Sequence, residues 1–317
     1  MQQEVYSNTI PVFAKTQNGW LEMKILEKNI INCFGENGRA WLDALPVTIE
    51  KLSAHWSLTD IKPVNKMSWH YVAFAIQNNK TPVVIKVGCD KKIIQDEYKV
   101  LQNFDGHGAI KVIDMNIELN ALLLEQALPG CQLKSRDQSQ IFDTIRIYSS
   151  VVKTLSDCQQ NKNNYTHASS WCEAIDKITD TRIEKRFVDQ AKKLKSILLH
   201  SAKNEYVCHG DLHLENIVQH GTKWVCIDPK GIIGEMAFEA AAFDLLSDDE
   251  IKNDSDISSL ISDRTMQLAD TLNIDLNRLL SWIFLRVIIS AQWFIEDNGN
   301  PNQMLLLAEK IYPMVQL

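Results

Sequence analysis

The chain has 317 residues, 45% hydrophobic and 23% charged, enough apolar material for one large domain or two modest ones with real cores, and too much for a disordered polypeptide. Its formal charge of −7 argues against a nucleic-acid binder, because neutralising phosphates needs a basic face, and suits a cationic partner. The seven cysteines (Cys33, Cys89, Cys131, Cys158, Cys172, Cys208, Cys226) include no Cys-x-x-Cys pair, and the opening MQQEVYSNTIPVFAK has no basic segment leading into an apolar core, so reduced thiols, a cytoplasmic setting and no secretory signal are expected.

From Ile25 to Trp56 apolar residues recur at three- and four-residue intervals, broken at Gly35, Gly38 and Pro46, which predicts several short amphipathic helices. The stretch Lys62 to His70 contains no glycine, so a Gly-x-Gly-x-x-Gly phosphate cradle is absent. Ser68 or backbone amides near Met67 could contact a phosphate; an ordinary hairpin loop is the equal alternative. The pattern then changes to period two, predicting strands over Tyr71 to Ile76 and Val83 to Val87 joined by a hairpin turn at Gln77 to Pro82. A helix over Asp90 to Phe104, a turn at Asp105-Gly106-His107-Gly108, and strands over Ala109 to Met115 and Ala121 to Gln126 follow.

After Pro129-Gly130 the chain reads as mostly helical, over Gln140 to Leu155, Arg182 to Leu199, Ala237 to Leu246, Asp256 to Leu272 and Leu279 to Ile295. Short strands lie around Glu205 to Cys208, Ile217 to Gln219 and Lys223 to Ile227, and a polar surface loop spans Gln159 to Thr166. The most apolar stretch, Trp282 to Ile295, is too short to span a bilayer and carries Arg286 and Gln292, so it is expected as a buried helix with no membrane partner. The predicted class is α+β: a small N-terminal lobe of antiparallel sheet and helices, residues 1–127, then a larger, mainly helical C-terminal lobe, 128–317, with a hinge near Glu125 to Gly130.

Chemistry concentrates in VCHGDLHLENIVQHGTKWVCIDPK, Val207 to Lys230. Asp211 stands five residues before Asn216, and Asp228 closes the following apolar run. In a phosphoryl-transfer site one carboxylate receives the proton of an attacking hydroxyl, while an amide oxygen and a second carboxylate hold Mg²⁺ on a nucleoside triphosphate. Such a site also needs a cation on the phosphates. Lys86 ends an apolar strand, where an ammonium is costly unless paired. Glu97 on the next helix is its natural partner and Asp96 the alternative, since the helix phase is open.

His209 and His213 have His-x-x-x-His spacing, but Gly210 argues against the helix that would align them on zinc. His209 is expected to brace the loop, and His213 to face solvent or nucleotide. Glu239 reads equally as a buried acid bonding the loop backbone or as surface charge. Asp244, Asp248, Asp249, Glu296 and Asp297, with Trp293 as a stacking surface, are candidates to attract a cationic acceptor; a solvated acidic face is the alternative.

Several segments together resemble the aminoglycoside and hydroxyurea antibiotic-resistance kinases, and more broadly the kinase-like superfamily. They are Gly38 to Pro46, Pro82 to Lys86, Gly106 to Ala109, Leu122 to Glu125 with Leu128-Pro129-Gly130, HGDLHLENIV, and IDPKGIIGE. Asp228-Pro229-Lys230-Gly231 is the most family-specific run, since eukaryotic-type protein kinases carry Asp-Phe-Gly there. The resemblance implies a bilobal protein-kinase-like fold. It implies Asp211 as catalytic base, Asn216 and Asp228 as Mg²⁺ ligands, and Lys86, oriented by Glu97, on the phosphates of ATP or GTP. Glu125, Gln126 and Ala127 would form the hinge that hydrogen-bonds the purine.

The implied activity is phosphorylation of a hydroxyl on a small, cationic, streptomycin-like antibiotic. The alternatives are a kinase of an endogenous sugar or metabolite, and a non-catalytic nucleotide-binding pseudokinase. The complete set of Lys86, Asp211, Asn216 and Asp228 speaks against the pseudokinase, and the missing glycine loop keeps it open. Glu235 stands where family members often carry Asp.

Overall fold

Residues 19–315, apart from 66, 137–139, 159–160 and 253–255, are described by the computed structural model. The described chain divides into two compact units. The first runs to Tyr98 and resumes over Lys111–Gln126; the second takes Lys99–Ile110 and the described residues from Ala127 onward. The segment Lys99–Ile110 therefore packs with the second unit, although it precedes the last two strands of the first.

The first unit opens with helix α1, Gly19–Trp56, kinked at Gly35, where φ 55° and ψ −129° leave helical space. It is two helices end to end instead of several short ones, and Gly38 and Pro46 lie within the second. A Cβ at Gly38 would sit 2.5 Å from the Ile30 carbonyl oxygen. The two halves thus approach too closely for any side chain at that position.

Strands β1 (Leu58–Pro63), β2 (His70–Gln77) and β3 (Thr81–Gly88) lead to helix α2 (Lys91–Phe104), then to β4 (Val112–Asn116) and β5 (Ala121–Glu125). The five strands form an antiparallel sheet in the order β1-β2-β3-β5-β4. Cross-strand rows Tyr71–Val87–Ala121 and Ala73–Ile85–Leu123 pack with Leu26, Ile30, Leu45, Ile49, Leu52 and Trp56 of α1 into one apolar core. The period-two alternation puts Lys86, with its register partners Val72 and Leu122, on the opposite face.

Two differences from the sequence reading have local causes. Strand β1 was not anticipated, because it is an edge strand whose only buried residue is Leu58, leaving no alternation to read. The strand expected from Ala109 begins at Val112. Ala109 instead bridges Cys226, and the Ile110 N–H donates to the Cys226 carbonyl at 3.0 Å.

The second unit continues with β6 (Pro129–Gln132), α3 (Ile141–Ser156), β7 (Thr166–His167), α4 (Ala168–Cys172), α5 (Lys185–His200), β8 (Tyr206–Cys208), β9 (Ile217–His220), β10 (Lys223–Cys226) and β11 (Ile232–Gly234). Helices α6 (Met236–Ala240), α7 (Asp248–Lys252), α8 (Ile257–Leu272), α9 (Leu276–Glu296) and α10 (Asn302–Ile311) complete it. Its strands form two three-stranded sheets, β10-β9-β6 and β7-β11-β8.

Helix α6 is shorter than the predicted Ala237 to Leu246. After Ala240 the chain tightens into i→i+3 bonds, Ala242 to Glu239 and Phe243 to Ala240, both at 3.1 Å. Helix α9 is longer than expected: 21 residues, apolar and long enough by length and composition to cross a bilayer, with 67% of its most apolar 18-residue stretch buried inside the fold. It packs against α5, α6, α8 and α10, which explains why it is apolar almost all round.

Candidate active site

Strand β8 pairs with β11, Cys208 opposite Ile232, and delivers the chain to His209, which is fully buried. Its Nε2 lies 2.8 Å from the Ile227 carbonyl oxygen, and its Nδ1 accepts the Asp211 N–H at 3.1 Å. The Nδ1 contact requires a lone pair, so Nε2 carries the proton and donates to Ile227. Burial holds the imidazole down to about 4, so it is neutral at physiological pH, with both ring nitrogens committed to bracing the loop. The His209 carbonyl oxygen in turn accepts from the Lys230 and Gly231 N–H groups at 2.8 and 3.2 Å.

Asp211 is held from several directions while its carboxylate stays partly open, 36% exposed. Arg286 of α9 donates from Nη2 to Asp211 Oδ1 at 3.1 Å and from Nη1 to the Gly210 carbonyl oxygen at 3.0 Å. One planar guanidinium thus fixes both the backbone before Asp211 and its side chain, a use to which a lysine is poorly suited. Behind the loop the Gly210 N–H donates to Glu239 Oε1 at 3.2 Å. Glu239 is fully buried. Burial pushes its carboxyl up to about 7, opposed by the Arg286 charge and by the Gly210 and His209 N–H groups. The open choice at Glu239 resolves to the buried acid.

Asn216 ends a short turn, Leu214–Asn216, whose first N–H donates to Asp244 Oδ2 at 2.8 Å. Its Nδ2 donates to the Asp211 carbonyl oxygen at 2.9 Å and lies 3.1 Å from His213 Nε2, so the amide oxygen is the atom left to offer a ligand. The β9–β10 register, Cys226 opposite Ile217, continues as an Ile227 N–H bond to the Asn216 carbonyl at 2.9 Å and brings Asp228 beside Asn216. Asp228 has φ 63°, a left-handed conformation that Asp tolerates better than most residues. Its Oδ2 lies 3.5 Å from Lys230 Nζ, and the side chain is 35% exposed. An amide oxygen and a half-exposed carboxylate are hard donors of the kind Mg²⁺ takes alongside phosphates and water.

Gly231 explains the last position of the Asp-Pro-Lys-Gly run. With φ 72°, its ideal Cβ would lie 2.2 Å from Val100 Cγ2 and 3.2 Å from the Tyr165 ring, so only glycine fits. Glu235, the departure from the family pattern, is buried and accepts from Arg278 Nε at 2.7 and 2.9 Å and from Trp282 Nε1. It ties the start of α6 to α9.

In the first unit Lys86 Nζ lies 2.5 Å from Glu97 Oε2, and both side chains are buried. Asp96 instead pairs with Lys92 on the exposed side of α2. Ser68 is exposed in the loop between β1 and β2, and its carbonyl oxygen accepts from Asn29 Nδ2 at 2.9 Å. Glu125 closes β5. Its N–H donates to the Lys111 carbonyl at 2.9 Å, and its carboxylate accepts from the Lys111 N–H at 3.3 Å. Gln126 and Ala127 follow as half-buried irregular backbone.

Of the acidic residues considered for a cationic acceptor, Asp244 is engaged: besides Leu214 it meets Lys134 Nζ at 3.6 Å. Asp248 and Asp249 are exposed on α7, and Glu296 and Asp297 are exposed at the end of α9. Arg286 was missed as a site residue. Its signal was a guanidinium within the most apolar helix of the chain, a position that demands a partner.

A sequence model of the aminoglycoside/hydroxyurea antibiotic resistance kinases matches residues 55–298. The chain belongs to this family. It is a phosphotransferase with an alcohol group as acceptor. Among relatives of this resistance kinase, the streptomycin 6-kinase of Streptomyces glaucescens is 23% identical over 281 residues, covering 86% of this chain and 91% of that protein. The choline kinase LicA of Streptococcus pneumoniae, 15% identical, superposes with a TM-score of 0.61 over 84% of this chain and 98% of its own. A thermostable mutant of the aminoglycoside phosphotransferase APH(4)-Ia, solved with ADP and hygromycin B, is 11% identical and reaches 0.61 over 83% and 96%. The fold of the resistance kinase is kinase-like.

Proposed function

We propose that this kinase transfers the γ-phosphoryl group of ATP or GTP to a hydroxyl of a cationic, streptomycin-like aminoglycoside in the cytoplasm. The reading rests on Asp211, a partly exposed carboxylate whose backbone is tied to His209 and whose Oδ1 is held by Arg286. Asp211 orients the acceptor hydroxyl and takes its proton as the new P–O bond forms, and the proton then passes to solvent. Asn216 and Asp228 would hold a magnesium ion, which when bound offsets charge on the phosphates. Lys86, kept in place by buried Glu97, supplies a second cation for the phosphates. Ser68 and its neighbouring amides contact phosphate, and the backbone of Glu125, Gln126 and Ala127 receives the purine. Exposed Asp248, Asp249, Glu296 and Asp297 attract the cationic acceptor.

The test is purified protein with Mg²⁺, labelled ATP or GTP, and a panel of streptomycin, other aminoglycosides, neutral sugars and hydroxyurea. Transfer to an aminoglycoside is expected, and Asp211→Asn should lower kcat by about 10²- to 10⁴-fold while Mg-nucleotide still raises the melting temperature. Full transfer by Asp211→Asn, or transfer confined to neutral sugars, would refute the reading.

A further inference from the structure

Four aromatic rings in the second unit stand in a row that starts in the core and runs through Trp171 to the partly exposed Trp293. Trp282, anchored through Nε1 to buried Glu235, meets Phe238 at 5.3 Å between ring centroids. Phe238 meets Trp171 of α4 at 5.8 Å, and Trp171 meets Trp293 of α9 at 5.3 Å, all edge to face. The inner pair is buried, whereas Trp171 and Trp293 are each partly exposed. Trp171 is thus backed by Phe238, Trp293 leans on Trp171, and both outer rings keep some surface toward solvent.

This outer pair is joined to Asp211 by a single side chain. The Arg286 guanidinium that donates to Asp211 lies 5.8 Å from the Trp171 ring centroid. Its charge is already engaged by the Asp211 carboxylate and the Gly210 carbonyl, so it does not leave an unbalanced cation beside the rings. On α9, Arg286 and Trp293 are seven residues apart and fall on one stripe of the helix. That stripe continues to Asp297 at the C-cap. Glu296 is adjacent and exposed, with its Oε1 accepting from Gln292 at 2.9 Å.

We propose that Trp171 and Trp293 form the acceptor platform of this enzyme. A hydroxylated ring bearing an amino or guanidino group lies in the corner between the two nearly perpendicular indoles, 80° apart, its hydroxyl toward Asp211 and its cationic substituent toward Asp297 and Glu296. Indole faces are electron-rich and attract cations, and their flat apolar surface receives the C–H face of a saccharide or cyclitol. The carboxylates beyond Trp293 add charge selection, so neutral sugars are poor ligands of the same surface. The inference rests on the phosphoryl-transfer reading of Asp211 and names the side from which its acceptor approaches.

Trp293 is the diagnostic position, because it touches neither Arg286 nor Asp211 by any contact described above, whereas changes at Trp171 disturb Arg286. Trp293→Ala is expected to raise the KM for an aminoglycoside about 10-fold, with nucleotide KM within about twofold of wild type. Trp293→Phe should recover most of the loss. Calorimetric titration of streptomycin onto the full chain without nucleotide reads the platform independently of turnover. Binding weakened in Trp293→Ala and kept in Asp211→Asn supports the platform. Equal binding by wild type and Trp293→Ala, or no saturable binding by wild type, overturns it. Phosphorylation of an aminoglycoside with an unchanged KM in Trp293→Ala would sink the platform and leave the phosphotransferase reading standing. Streptomycin binding that needs Trp293 without any transfer to the panel would do the reverse.

Discussion

Glu239→Gln should make the protein more stable at pH 8 and leave it nearly unchanged at pH 5. Glu239 is fully buried beneath Gly210, and burial raises its carboxyl from the ordinary 4.5 to about 7. The folded state thus keeps a proton that the unfolded chain releases. The stabilisation from this group is complete below the unfolded value and is lost as pH rises through about 7. From 4.5 to about 7, at about 1.4 kcal/mol for each pH unit, the loss amounts to about 3–4 kcal/mol, most of it falling between pH 5 and pH 8. Glutamine has the shape of the protonated acid and keeps an acceptor for the Gly210 N–H, so it escapes the cost of ionisation. Urea unfolding of wild type and variant, followed by tryptophan fluorescence at pH 5, 6, 7 and 8, gives the difference directly. Groups that titrate alike in both proteins, His209 among them, cancel in that comparison. A variant-minus-wild-type difference that stays flat across the range would mean that Glu239 does not titrate there, and that the account of a buried acid under the catalytic loop is wrong.

Lys86→Met removes the cation 2.5 Å from buried Glu97 and should destabilise by about 3–5 kcal/mol. The Lys86→Met/Glu97→Met double variant should recover much of that in a denaturant melt while remaining inactive. Arg286→Ala removes two charge-assisted donors from the Gly210–Asp211 segment, each worth about 1.5–3 kcal/mol. It is expected to lower kcat about 10- to 100-fold with nucleotide affinity unchanged. Arg286→Lys should fall between, since one ammonium is less able to serve both acceptors, and a wild-type kcat in Arg286→Ala would exclude a positioning role.

What could be read from the chain alone follows contact range. Period-two runs at Tyr71 to Ile76 and Val83 to Val87 announce strands β2 and β3, because alternation is a property of neighbouring residues. The same holds for the loop chemistry: Asp211, Asn216 and Asp228 lie within one hairpin-sized segment, and spacing suffices to group them. The Lys86 partner needed one further step, the phase of α2, which packing decides in favour of Glu97. Edge strand β1 was obscured because it leaves no periodic trace, and of the breaks read at Gly35, Gly38 and Pro46 only the one at Gly35 interrupts α1.

The sequence by itself determined which candidate groups stand together, since Asp211, Asn216 and Asp228 fall at a short spacing that suits phosphoryl transfer. Only the tertiary structure decided what holds that chemistry in place. Arg286 reaches Asp211 across 75 residues and Glu239 reaches Gly210 across 29, and the row of rings from Trp282 to Trp293 crosses three helices. A charge within an apolar helix signals that it needs a partner. Which partner it finds depends on how α9 packs, and that is set by the whole core and by no local pattern.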